Sequence, residues 1–93
     1  MQAGQRTDIR PDIRIDKLLW YLRLTKSRAR AQAILGQGHV RLNGRHVDRV
    51  SACVRAGDVI TLPLGEAARV FRVLALPSRR GPPAEAASCY EEL

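Results

Sequence analysis

Residues 27–44 read SRARAQAILGQGHVRLNG. Ser27 is a helix-capping residue type, because its hydroxyl accepts a backbone N–H left free in the first turn. Ala31, Ile34 and Leu35 follow at the spacing of one buried helical stripe, which predicts a helix over 28–36. Ala29, Ala31 and Ala33 are small and allow that helix to sit close against a neighbour. Gly36-Gln37-Gly38 supplies the stop, since a glycine adopts the left-handed conformation that satisfies the last carbonyls. The period then changes from helical to two. Val40 and Leu42 alternate with His39 and Arg41, and Asn43-Gly44 is the favoured two-residue turn. The expected hairpin, 39–47, sets Val40 opposite Val47, Leu42 opposite Arg45 and Arg41 opposite His46. One of its faces is mostly apolar and the other cationic.

Upstream, Ile15, Leu18, Leu19 and Leu22 form a second amphipathic stripe, predicting a short helix over 16–23 with Asp16 as its N-cap. Leu24-Thr25-Lys26 makes a tight connection between the two helices. Trp20 is expected in the core, as aromatic residues at helical spacing in a small domain generally are.

Downstream, Ala56-Gly57-Asp58 is a turn and Val59–Leu62 a strand. Pro63 lacks an N–H to donate, so it weakens the strand end and suggests an edge. Gly65-Glu66 turns the chain into a β-rich stretch, 69–76. A basic Pro/Gly linker, 77–83, leads to an acidic, helix-prone end, 84–93. Residues 1–13 are polar and read as a loose arm. The expected organisation is therefore an arm (1–13), an ordered domain (14–76) and a linker with a short acidic helical tail (77–93). The class is α+β: two short N-terminal helices on a small, mainly antiparallel twisted sheet.

At 93 residues the chain has room for one domain and a modest core. Its net charge of +7 biases its partners towards polyanions. The distribution of that charge is more telling. No acidic residue occurs between Asp16 and Asp48, yet Lys17, Arg23, Lys26, Arg28, Arg30, Arg41 and Arg45 do, with His39 and His46. A solvated helix face normally mixes both signs, so this segregation predicts a one-sided positive surface for nucleic acid. Ser27 and the first N–H groups of the second helix add an anion site bracketed by Lys26 and Arg28. Arg28 and Gln32 share a helical face.

Other classes are disfavoured. There is no carboxylate pair, no orienting acid beside His39 or His46 and no Gly-rich phosphate loop, so no enzyme is expected. Cys53 and Cys89 stand alone; free thiols are expected, with no metal and no cofactor. No run reaches the ~20 apolar residues of a membrane span, and the first dozen residues hold no secretory h-region. A cytoplasmic monomer follows as the expectation.

The motifs Arg14-Ile15-Asp16-Lys17-Leu18-Leu19-Trp20, Lys26-Ser27-Arg28-Ala29-Arg30-Ala31, Gly38-His39-Val40-Arg41-Leu42-Asn43-Gly44 and Gly57-Asp58-Val59-Ile60 resemble the S4-type (αL motif) RNA-binding domain. The resemblance implies an RNA surface on Arg14, Lys17, Lys26, Ser27, Arg28, Gln32, Arg41, Asn43 and Gly44; charge adds Arg30 and Arg45. The segment Arg79 to Glu92 is similar to the one that follows the domain in the bacterial 15-kDa heat-shock protein family. That family continues into a long basic extension, where this sequence stops at Leu93. The likeness implies a ribosome-associated, stress-response role on ribosomal RNA of the large subunit, including recycling of subunits that carry a stalled nascent chain. The alternative is a DNA-binding helix-turn-helix-like protein, since two short helices and a tight turn resemble that motif as well; weak DNA binding is compatible with either reading.

Overall fold

The computed structural model describes residues 11–93. The order is β1 (Ile13–Arg14), α1 (Ile15–Tyr21), α2 (Arg28–Gly36), β2 (Arg41–Leu42), β3 (Arg45–His46), β4 (Cys53–Val54), β5 (Val59–Leu64), β6 (Ala67–Val73), α3 (Pro83–Ala87) and β7 (Tyr90–Glu92). Two antiparallel sheets result: β1 with β4, and five strands in the order β3-β2-β5-β6-β7. This is the expected α+β class with an antiparallel sheet.

The aliphatic stripes pack as the spacing predicts. Ile15, Leu18 and Leu19 from α1 and Leu22 at its C-cap meet Ala31 and Leu35 from α2, then Val40, Val47, Ile60, Leu62, Phe71 and Val73 from the sheet side. Ile34 is only half-buried and lies at the margin of this core. Each fully buried aliphatic side chain contributes about 1.5–3 kcal/mol, so these residues dominate the stability of so small a body.

Helix 1 is shorter than its predicted span because Arg23 takes the left-handed conformation, φ 60°. The Arg23 N–H donates to the Trp20 carbonyl (3.0 Å) and the Leu24 N–H to the Leu19 carbonyl (3.0 Å). That is the Schellman pattern with arginine in the position glycine usually holds. Helix 2 runs over its predicted span and stops at a left-handed Gly38, φ 82°, whose N–H donates to the Leu35 carbonyl (3.1 Å). The hairpin has the predicted register, Arg41 with His46 and Leu42 with Arg45. Asn43 (φ 53°) and Gly44 (φ 80°) give the type I′ turn.

Several expectations are corrected. Asp16 is not the N-cap of α1: Arg14 holds that position, and Asp16 sits inside the first turn, fully buried. Trp20 is absent from the core and half-buried outside it, because its position is off the Ile15–Leu18–Leu22 stripe. Most of the expected N-terminal arm lies outside the described residues, but Ile13 is paired with Val54 in β1. β6 begins at Ala67 and ends at Val73, earlier at both ends than expected. Pro63 is in a strand that is central by order, yet the missing N–H costs nothing. Val59 turns its carbonyl and N–H towards Asn43, so Pro63, four residues on, points to the same side, beyond the last β2 pairing at Thr61.

The end of the chain is not one helix. Pro83 opens α3 at a position that tolerates proline, and α3 stops at Ala87. Residues 90–92 then add an edge strand to β6. Glu92 takes two 2.7 Å hydrogen bonds from Arg69, Glu91 takes one from Arg72 (3.1 Å), and Tyr90 meets Phe71 edge-on at 5.4 Å. The acidic tail is thus held by cross-strand charge pairing on the sheet. Both cysteines are free.

Candidate nucleic-acid interface

One buried acid organises the N-terminal cations. Asp16, at the base of α1, accepts hydrogen bonds from Arg14 Nε (3.2 Å) and Nη2 (3.2 Å), Arg28 Nε (3.2 Å) and Gln32 Nε2 (2.9 Å), besides the Lys17 N–H (2.9 Å). Arg28 and Gln32 reach it together because they stand one helical turn apart on α2. Burial alone pushes the Asp16 carboxyl up; the bonds from Gln32, Arg14 and Arg28, with the Arg28 charge, outweigh it and hold the pKa below the ordinary carboxylate value. The carboxylate is wholly enclosed, whereas the Arg14 and Arg28 side chains stay 45% and 39% exposed. One negative charge therefore fixes two cations in place and leaves the cluster net positive at the surface.

A second sector lies across α2. Lys26 and Arg30 rim a shallow groove floored by Leu24, Ile34, Pro63 and Leu64. Ser27 caps α2 as expected, its Oγ accepting the Arg30 N–H at 3.0 Å, and Thr25 Oγ1 donates to the Ser27 carbonyl at 3.0 Å. The connection between the helices is thereby fixed, and Lys26 and Ser27 are exposed upon it.

The hairpin forms the third sector. Arg41 and Arg45 are exposed, and Arg41 Nη1 approaches the Gly44 carbonyl at 3.4 Å. Arg45, His46 and Arg49 line one shallow depression together with Asp48. The Asn43 amide is engaged with the protein itself: its Oδ1 accepts the Val59 N–H (2.9 Å) and its Nδ2 donates to Asp58 (3.1 Å). Its direct contribution is to hold the turn against β5, with Arg41 and Arg45 on either side.

The predicted residues thus fall into three groups: Arg14, Arg28 and Gln32 around Asp16; Lys26, Ser27 and Arg30 at the head of α2, beside the end of β5; and Arg41, Asn43, Gly44 and Arg45 on the hairpin, at the start of β5. Lys17 stands apart from these, its Nζ 5.4 Å from the centre of the Tyr21 ring. Among the described residues Lys26, Arg30 and Arg45 form no ion pair, whereas Arg69, Arg72 and Arg79 on the tail side each hold a glutamate. Sequence reasoning missed the structural role of Asp16. The signal was present, since a lone acid among so many cations needs a partner if buried. No group of three or more potential metal ligands occurs among the described residues.

Residues 13–60 match the S4 domain family. The chain belongs to the S4 domain family. All three cationic groups of the S4 domain lie inside the matched span. Relatives extend the likeness past it. Heat shock protein 15 of Escherichia coli K12 is 37% identical over 81 residues, covering 87% of this chain and 60% of that protein. Small ribosomal subunit protein uS4 of Opitutus terrae is 38% identical over 69 residues, covering 74% of this chain and 34% of that protein. The chain therefore spans between about a third and 60% of the length of these relatives. The solved heat shock protein 15 of Vibrio cholerae, described as a trimer, superposes with a TM-score of 0.82 at 30% identity, covering 89% of this chain and 83% of that one.

Proposed function

We propose that this S4 domain binds structured ribosomal RNA, that of the large subunit, through the face made by α1, α2 and the β2–β3 turn. The observation that carries the reading is the buried Asp16 holding Arg14 and Arg28 at the surface, beside unpaired Lys26 and Arg30. Cations fixed before contact lose less side-chain freedom on binding, so more of each phosphate contact is realised as affinity. Helical RNA hides its base edges in a deep, narrow groove, and a fixed array of cations suits recognition by shape and phosphate spacing. The tail from Arg79 to Glu92 resembles that of the 15-kDa heat-shock protein family, which supports a large-subunit target and a part in recycling stalled subunits within the cytoplasm. The unit proposed to bind is the monomer.

Competition settles the order of targets. A labelled large-subunit RNA hairpin, challenged with unlabelled RNA or with duplex DNA of equal length, is expected to be displaced by RNA at much the lower concentration. Equal or better displacement by duplex DNA contradicts the proposal and favours a helix-turn-helix mode. Pelleting with isolated ribosomal subunits extends the test, and preferential capture by small subunits removes the large-subunit assignment.

A further inference from the structure

The outer face of α1 carries a second cluster that the three cationic groups do not use. Lys17, Trp20 and Tyr21 stand at helical spacing on the side turned away from the Leu18–Leu22 stripe. The Trp20 and Tyr21 rings lie 5.8 Å apart, tilted by 45°, and both residues remain half-buried. The Lys17 ammonium is 5.4 Å from the Tyr21 ring centre, and the Arg80 guanidinium carbon 5.7 Å from that of Trp20.

Arg80 comes from the tail, beyond the matched S4 span, and two long-range bonds bring it there. Its Nε donates to the Trp20 carbonyl (3.1 Å), and Arg23 Nε donates to the Gly81 carbonyl (2.6 Å). The bond from Arg23 springs from the strained left-handed residue that ends α1, so helix end and tail are tied at one point. Arg79, the neighbouring cation, is neutralised by Glu85 at 2.7 Å. Lys17, Arg23 and Arg80 are left to set the charge of this face.

We propose that this face is a second RNA contact, for unpaired nucleotides flanking the structured element held by the main surface. It rests on the RNA-binding reading above and deepens it. The chemistry is that of single-strand binding: every base has a π-face that stacks on an aromatic ring. Here Arg80 lies over one face of Trp20 and Lys17 over one face of Tyr21, so a base would stack on the opposite face or take the cation's place while the cation turns to a phosphate. Helical RNA keeps its bases stacked inside and offers nothing to these rings, so the contact discriminates unpaired from paired flanks.

Trp20 is the sole tryptophan, so its emission reports this face alone. The probes are a blunt ribosomal RNA hairpin and the same hairpin carrying a short unpaired uridine tail. The tailed RNA is expected to bind roughly tenfold tighter, within the range of a base stacked on an aromatic ring, and to quench Trp20 more strongly. Arg80→Ala and Trp20→Leu are expected to abolish that gain while blunt-hairpin affinity stays unchanged. Equal affinity and equal quenching for the two RNAs, or a gain that survives both substitutions, overturns the second contact and leaves Arg80 as a fastener of the tail. Failure of both RNAs to bind removes the main RNA reading and this one together.

Discussion

The Asp16 carboxylate is wholly enclosed, so its charge must be met by its neighbours. Replacing it with asparagine keeps the shape and removes the charge that Arg14, Arg28 and Gln32 answer. Asp16→Asn is expected to lower stability by about 1–3 kcal/mol at neutral pH. The pH dependence has a definite sign. The folded pKa lies below its unfolded value, so the carboxylate contributes fully above the unfolded value and its contribution fades as pH falls through the lowered folded one. The stability gap between wild type and Asp16→Asn therefore stays constant down to about pH 4 and closes below it; urea melts at a series of pH values measure the gap. A gap independent of pH into the acid range contradicts the assigned charge. Arg28 behaves differently because its side chain is 39% exposed and Asp16 keeps Arg14 and Gln32 without it. Arg28→Ala is expected to weaken RNA binding by about 1–2 kcal/mol while costing under about 1 kcal/mol of stability. Parallel RNA titrations and melts separate the two, and a folded variant with unchanged affinity takes Arg28 out of the interface.

The β2–β3 hairpin is too short to hold itself, with two residues in each strand. The Asn43 side chain and backbone both tie it to the start of β5, at 2.7–3.1 Å. Asn43→Ala loses the two side-chain bonds and puts a Cβ-bearing, non-polar residue at φ 53°; a loss of about 2 kcal/mol is expected. Asn43→Gly relieves the backbone term and is expected to cost less, which denaturant unfolding of both variants checks. This turn also shows why much of the fold was legible. Asn43-Gly44, the Gly38 stop, the Ser27 cap and the aliphatic stripes are local signals, each decided within a few residues. The rest depended on distant partners. Arg23 ends α1 where nothing beside it marks a stop, and Trp20 lies outside the core under an arginine 60 residues further along the chain. Residues 90–92 look helix-prone alone and become a strand because β6 presents Arg69, Arg72 and an open edge. The candidate site residues follow from charge and motif. The acid that positions two of the arginines was not, since its burial follows only from the packing of α1 on α2.

At the scale of the whole molecule, the net charge of +7 is unevenly spent. Among the described residues, glutamates in α3 and β7 pair with Arg69, Arg72 and Arg79, while Lys26, Arg30 and Arg45 form no ion pair and Arg14 and Arg28 share the Asp16 carboxylate. No helix among the described residues is long and apolar enough to cross a membrane. A polycation binds RNA largely by releasing counterions, so its affinity falls with salt in proportion to the phosphates it neutralises. The most direct test is a titration of a structured ribosomal RNA fragment across a salt series. With about four to six phosphates neutralised, log K is expected to fall against log salt with a slope of roughly −3 to −5, and Arg28→Ala to reduce that slope by about one. A flat salt response, or the same slope in Arg28→Ala, contradicts the claim that this cationic face is the RNA-binding surface.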